Sequence, residues 1–303
     1  MNKVSMYTYA PNFRADINKI SAGNVASADS NVVTAPLSGA NVDTVKIRSR
    51  KEINIEKLQK LFPNGELQRV YDEINKDFGI DRAPHLRFVG NNDGVVAGGF
   101  TYSKNEISMS LEDLVESDTK IVGIKDGKRT VLTSPKNKLP LFVSKQMALV
   151  SVAALAKNGN LGYDKLIIEP LTEDEHKKFI VQKIAHEVVH AQQHMVMRQT
   201  EGIGEKEIIA AWTHAKPQNM IDKAILGFKV KDMFDKSYWA DKPETEKTIS
   251  PDSEMGQKAK EWLEAVRNYP KVDSPEYEKN AIEVDAYNRS AEYADKKFGP
   301  WEG

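Results

Sequence analysis

The chain has 303 residues, 40% of them hydrophobic, a formal charge of -1 and no cysteine. There is enough apolar material for a sizeable core, and the balanced charge points to neither nucleic acid nor an anionic membrane as a partner. Without thiols there are no disulfides and no thiolate metal sites, so any metal ligands must be imidazole or carboxylate.

The start, MNKVSMYTYAPNF, has no apolar run of signal-peptide length. No segment approaches the roughly 18 continuous apolar residues of a membrane span. No integral membrane segment is expected, and cytoplasmic residence is the default, with export by a non-classical route left open. Residues 1–50, including SAGNVASADSNVVTAPLSGANVDT, are small and polar with little periodicity. Such a stretch buries too little apolar surface to offset its ordering entropy and is expected to be a flexible tail. Residues 51–303 are expected to form the folded domain, with a mixed α/β part over 51–170 and a helical part over 171–303.

The pattern turns helical from Ile53, breaks at Pro63, Asn64 and Gly65, and resumes through ELQRVYDEINKDF to Gly79. His85 to Val89 reads as a short strand, with His85 a structural or surface group. In GGFTYSKNEISMSLEDL, apolar residues alternate on either side of a turn at 103–105, which predicts a β-hairpin whose second arm is Glu106 to Ser110. KIVGIKDGKRTVLT predicts a second hairpin turning at Asp126-Gly127, either an insertion on the sheet or a flap over a cleft. A helix over 144–157 and a short buried strand around Leu166 to Ile168 follow.

Residues 172–199 form the strongest helical signal, opening with Thr172 and Glu175 in capping-box spacing. Ile180, Ile184, Val188, Ala191 and Met195 make its apolar stripe. The helix carries HEVVH, in which His186 and His190 lie one turn apart on one face and reach a common zinc ion. Glu187, about 100° round from His186, is beside the pair and suits a general base. His194 is about 12 Å along the axis from His186, too far to share an ion with it, and is read as a supporting or surface group. Further helices are expected over 206–214, 219–234, 252–268 and 275–298, with Trp212, Trp239, Trp262 and Trp301 as packing residues.

The third ligand is sought on the last helix, SPEYEKNAIEVDAYNRSAEYADKKF, with Ser274 as N-cap and Pro275 at the first position. Glu283 shares the apolar stripe with Tyr287, Ser290, Ala291, Ala294 and Phe298, and an acid there is costly unless it is paired or bound to a metal. Glu276 in the first turn and Asp285 on the polar face are the alternatives, as is an ion pair for Glu283.

HEVVH followed by a helix bearing Glu283-Val284-Asp285-Ala286 resembles the gluzincin branch of the zincin metallopeptidases, and GGFTYSKNEISMS is similar to a hairpin that precedes HExxH in several small bacterial metallopeptidase groups. The likeness covers residues 66–298, although Tyr287 stands where many gluzincins carry an acid. It implies an α+β, zincin-like fold: a small mixed sheet with an edge strand over the active-site helix, followed by a mainly helical C-terminal part. It implies Zn2+ held by His186, His190 and Glu283, with Glu187 as general base and a peptide or protein as substrate. Strand 106–110 is expected to be the free edge that holds extended substrate through Glu106, Ile107 and Ser108. Tyr287 and His214 are candidates for stabilising the oxyanion. The rival expectation is a non-catalytic metal- or peptide-binding protein on a peptidase-like domain, in which Glu187 would have no task.

Overall fold

The computed structural model of the chain describes residues 49–90, 98–101, 105–133, 142–143, 152, 162–214, 247–270, 274 and 276–301. The expected tail, apart from residues 49–50, lies outside the described residues. So do the expected helix over 219–234, most of that over 144–157, and Trp239.

Helix α1 (Arg50–Leu61) starts at a capping box in which Ser49 and Glu52 bond reciprocally. A 3-10 turn, Pro63–Gly65, puts Asn64 and Gly65 at positive φ and leads into α2 (Glu66–Asp77). Three strands then build a small mixed sheet: β1 (His85–Val89), β2 (Gly98–Thr101) and β3 (Glu106–Ser110). β3 pairs in parallel with β1 and antiparallel with β2, so the order is β1-β3-β2. The short helix α3 (Leu111–Glu116), capped by Ser110, follows.

β4 (Thr119–Lys125) and β5 (Lys128–Val131) form the second hairpin, and its Asp126-Gly127 turn has φ of 50° and 74°. Two successive positive φ values match the right-handed twist of the arms, which is why an Asp-Gly pair suits this position. β4 also pairs antiparallel with β6 (Phe142–Val143) and, along 119–124, with β7 (Lys165–Pro170). The hairpin therefore belongs to a separate sheet, neither an insertion on the first sheet nor a flap.

The rest is helical: α4 (Glu173–Gln199), α5 (Glu205–His214), α6 (Glu254–Arg267), a 3-10 turn at Tyr277–Lys279, and α7 (Ala281–Phe298). α4 opens on the expected Thr172–Glu175 capping box and, at 27 residues, spans about 40 Å. Its first half packs Phe179, Ile180, Ile184 and Val188 against α1, α2, α3, Ile107 and Met109. Its last turns pack Val196 and Met197 against α5, α6 and Ile282. One helix thus belongs to two apolar clusters, and His190 lies in the stretch of α4 between them. α7 runs antiparallel to α4: Lys178 pairs with Asp295 at 2.6 Å, His186 stacks on Tyr287, and the Gln193 side chain reaches the Ile282 carbonyl. Among the described residues no helix is long and apolar enough to cross a membrane.

The structure corrects two further local expectations. The last helix does not run unbroken from 275, because Asn280 interrupts it. Its side chain caps α7 at the Ile282 N–H and donates to the Ala265 carbonyl at the end of α6. Strand 106–110 is not a free edge: β3 is the central strand, paired on both sides.

Candidate metal centre

His186 and His190 project from the middle of α4, and Glu283 from the first turn of α7. Asn280 and Glu283 have capping-box spacing, in which the acid would ordinarily turn back to the cap. Here the Glu283 side chain turns towards the two histidines and Tyr269 instead. The partial positive charge at a helix N-terminus favours a carboxylate there, and the cap explains why the helix begins close enough for Glu283 to reach α4.

His186 Nε2 and His190 Nε2 are 3.1 Å apart. Glu283 Oε2 is 3.4 Å from His186 Nε2, and Glu283 Oε1 is 3.6 Å from His190 Nε2. Ligand atoms about 2.0–2.1 Å from one tetrahedral ion lie roughly 3.3–3.4 Å from each other, and each histidine nitrogen lies near that distance from one of the two Glu283 oxygens. The three residues could hold a metal: one donor atom from each lies within 4.8 Å of the others. Glu283 is 1% exposed, while the histidine side chains are 13% and 12% exposed, so the cluster opens to solvent on the histidine side. Glu283 Oε2 is buried with no hydrogen-bond partner, as expected for a donor atom reserved for an ion.

Burial disfavours charge on His190, but the Glu283 carboxylate beside it outweighs burial and pushes its pKa up to about 9. Burial works against the charged form of Glu283 as well, and the two histidines hold its carboxyl well below the ordinary range. Without metal, the pair is a carboxylate facing an imidazolium. A bound cation would replace that proton as the counter-charge.

His190 and Glu283 are each held by a hydrogen bond with a neighbouring side chain, whereas His186 Nδ1 is buried without a hydrogen-bond partner and its ring is held by packing. His190 Nδ1 donates to Gln193 Oε1 at 2.9 Å, which turns Nε2 towards Glu283. Gln193 is held in turn by its Nε2, which donates at 2.9 Å both to the Ile282 carbonyl and to Asp285 Oδ2. The Tyr287 ring stacks on His186, with centroids 4.5 Å apart. The Tyr269 hydroxyl donates to Glu283 Oε1. Burial, followed by the charge of Glu283, raises the pKa of both the Tyr269 and Tyr287 hydroxyls and keeps them protonated. His194 is buried, not a surface group: its Nδ1 donates to the His190 carbonyl at 2.8 Å, and its Nε2 accepts from Trp212 Nε1 at 3.2 Å.

Glu187 is buried beside this cluster and next to β2: a Cβ built on Gly98 would lie 3.3 Å from Glu187 Oε1 and 2.9 Å from Met109 Sδ. Glycine leaves room at this strand position for the carboxylate. Phe100, two residues on, meets His194 at 5.5 Å between ring centroids, so β2 is the strand that runs beside the histidine stretch of α4.

Ile107 is fully buried in the core. Glu106 and Ser108 alternate with it and so occupy the sheet face turned away from α4. Ser108 Oγ donates to Glu106 Oε1, and Glu106 lies 3.8 Å from both Arg87 and exposed His85. Strand addition at these three residues is ruled out because β1 and β2 already use both edges of β3. Glu276 is exposed, Asp285 supports Gln193, and the His214 side chain lies outside the described residues. Sequence reasoning missed Gly98, Gln193 and Tyr269. The Gly98-Gly99 pair was a visible signal of close approach, whereas Gln193 and Tyr269 carried none.

No family model matches this chain, and comparisons with characterised proteins and with solved structures returned no match.

Proposed function

We propose that this protein is a zinc-dependent metallopeptidase in which His186, His190 and Glu283 hold the ion and Glu187 is the general base. The observation that carries the reading is the convergence of three side chains from two helices, with one donor atom of each within 4.8 Å of the others and the histidine nitrogens 3.1 Å apart, and with the buried Glu187 carboxylate on α4 beside them. Zinc, when bound, supplies Lewis acidity towards a carbonyl oxygen and lowers the pKa of water. Glu187 accepts the proton of the attacking water and returns it to the leaving amine. A site built only to hold metal has no use for Glu187 in that position, which weighs against the non-catalytic alternative.

An extended peptide fits β2 better than β3. Among the described residues, β2 pairs with β3 alone, so its other edge offers backbone N–H and C=O groups to a peptide strand. The face of β2 at Gly98 lies close to Glu187, which supports holding a scissile carbonyl near this end of the strand. Tyr287, stacked on His186, remains the candidate donor to the developing oxyanion.

The test is elemental analysis of the purified protein together with a mixed-peptide digest, with and without chelator, read by mass spectrometry. About one zinc per chain and chelator-sensitive cleavage are expected. The Glu187→Gln variant should keep its metal and lose roughly 10²–10⁴-fold in cleavage rate. A protein that takes up no zinc, or a fully active Glu187→Gln variant, overturns the reading.

A further inference from the structure

Glu283 has two oxygens, and their surroundings differ. Oε1 accepts the Tyr269 hydroxyl and lies 3.6 Å from His190 Nε2, whereas Oε2 is buried without a hydrogen bond, 3.4 Å from His186 Nε2. A carboxylate that binds an ion through both oxygens fills two coordination positions, and one that binds through a single oxygen fills one. A catalytic zinc site needs a position left open after its three protein ligands, so which oxygens bind is a functional matter.

Tyr269 is well placed to decide it. The residue follows the end of α6, where its backbone N–H bonds to the Val266 carbonyl at 3.1 Å. Its ring is wedged between Trp212, at a centroid distance of 5.4 Å, and Tyr277, edge-on at 5.6 Å. Those contacts hold the ring without help from Glu283, so the hydroxyl stands as a preset donor when the carboxylate arrives from α7. The arrangement parallels Gln193 at His190, where an outer partner selects the nitrogen that faces the cluster.

We propose that Tyr269 is a positioning residue that would hold Glu283 as a one-oxygen metal ligand: both oxygens lie near the histidines, and the hydroxyl engages Oε1 so that Oε2 is the oxygen left for the ion and one coordination position would stay open. The inference rests on the reading of His186, His190 and Glu283 as the metal centre. It concerns the geometry of that centre, not its substrate.

The experiment compares wild type with Tyr269→Phe, which keeps the ring and removes only the hydroxyl. Zinc affinity is measured by competition with a chelator. Coordination is read from the visible absorption of the cobalt(II)-loaded protein, whose bands weaken as the coordination number rises. The variant should bind zinc about 10–100-fold more weakly, the usual loss when an outer-shell partner is removed. Its cobalt bands should be weaker per ion at saturation as Oε1 joins the ion, a change that ring packing alone does not cause. Unchanged affinity with an unchanged spectrum overturns the proposal, and so does lost affinity with an unchanged spectrum. A wild-type protein that binds neither ion overturns both the proposal and the metal-centre reading, which separates that failure from a failure at Tyr269 alone. If Tyr269→Phe does not fold, 4-fluorophenylalanine at position 269 keeps the ring and fills the place of the hydroxyl but cannot donate. The cobalt bands should then weaken as with Tyr269→Phe, and bands identical to wild type overturn the proposal.

Discussion

At the scale of single residues, the histidine pair depends on a side chain outside the three candidate ligands. Gln193 is fully buried and uses its carboxamide oxygen on His190 and its nitrogen on the Ile282 carbonyl and Asp285. A Gln193→Leu change of similar size should weaken zinc binding about 10–100-fold, because His190 Nδ1 loses the acceptor that orients its ring. Chelator competition checks this, and an unchanged affinity would remove Gln193 from the site. Gly98 makes a complementary test. A side chain there meets Met109 and then the Glu187 carboxylate, and a displacement of about 1 Å in a catalytic group can cost on the order of 10²-fold. Gly98→Val should therefore keep its zinc while kcat/KM on peptide falls by up to about 10²-fold. Full activity would show that Glu187 does not need the strand so close.

At the scale of elements, α4 is held by contacts along its whole length. Near its start, His176 Nε2 donates at 2.7 Å to the Leu114 carbonyl in α3. Burial lowers the pKa of His176 below its ordinary value, and the Leu114 bond offsets this only in part. The unfolded chain, with an ordinary histidine pKa of about 6.5, takes up the proton first as pH falls. The stability His176 contributes is therefore fully present above about pH 6.5 and is lost as pH drops towards the depressed folded value. Urea unfolding at pH 7.5 and at pH 5 should show a larger loss for wild type than for His176→Gln, which cannot titrate. Equal losses would mean that His176 is not kept neutral by its burial.

At the scale of the molecule, the two halves of the candidate site arrive on helices far apart in sequence. A metal ion bound to α4 and α7 would bridge them, in parallel with the Lys178–Asp295 pair and the Lys178 ammonium 4.3 Å from the Trp301 ring. An ion that binds only the folded state stabilises it by about 2.7 kcal/mol at a hundredfold excess over Kd. For a domain of this size that is a rise in Tm on the order of 5–10 °C. Thermal melts should show chelator lowering Tm and zinc restoring it, with His190→Ala insensitive to both. A wild-type Tm indifferent to zinc and chelator would place the ion, if any, outside this helix pair.

What the sequence determined by itself was local. The capping box at Thr172, the one-turn spacing of His186 and His190, and the Asp126-Gly127 turn all depend on hydrogen bonds and φ values within a few residues. Glu283 was also legible as a buried acid, although it lies in the first turn of α7 and not mid-helix, because Asn280 restarts the helix. The tertiary structure decided the rest. Whether Glu106 to Ser110 is an edge or a centre depends on which strands arrive beside it, and an alternating pattern in one strand says nothing of its neighbours. The same holds for Gln193 and Tyr269. Nothing in their own sequence neighbourhoods shows that folding brings one to Ile282 and Asp285 and the other to the Glu283 carboxylate, since those partners are supplied by helix packing and not by spacing along the chain.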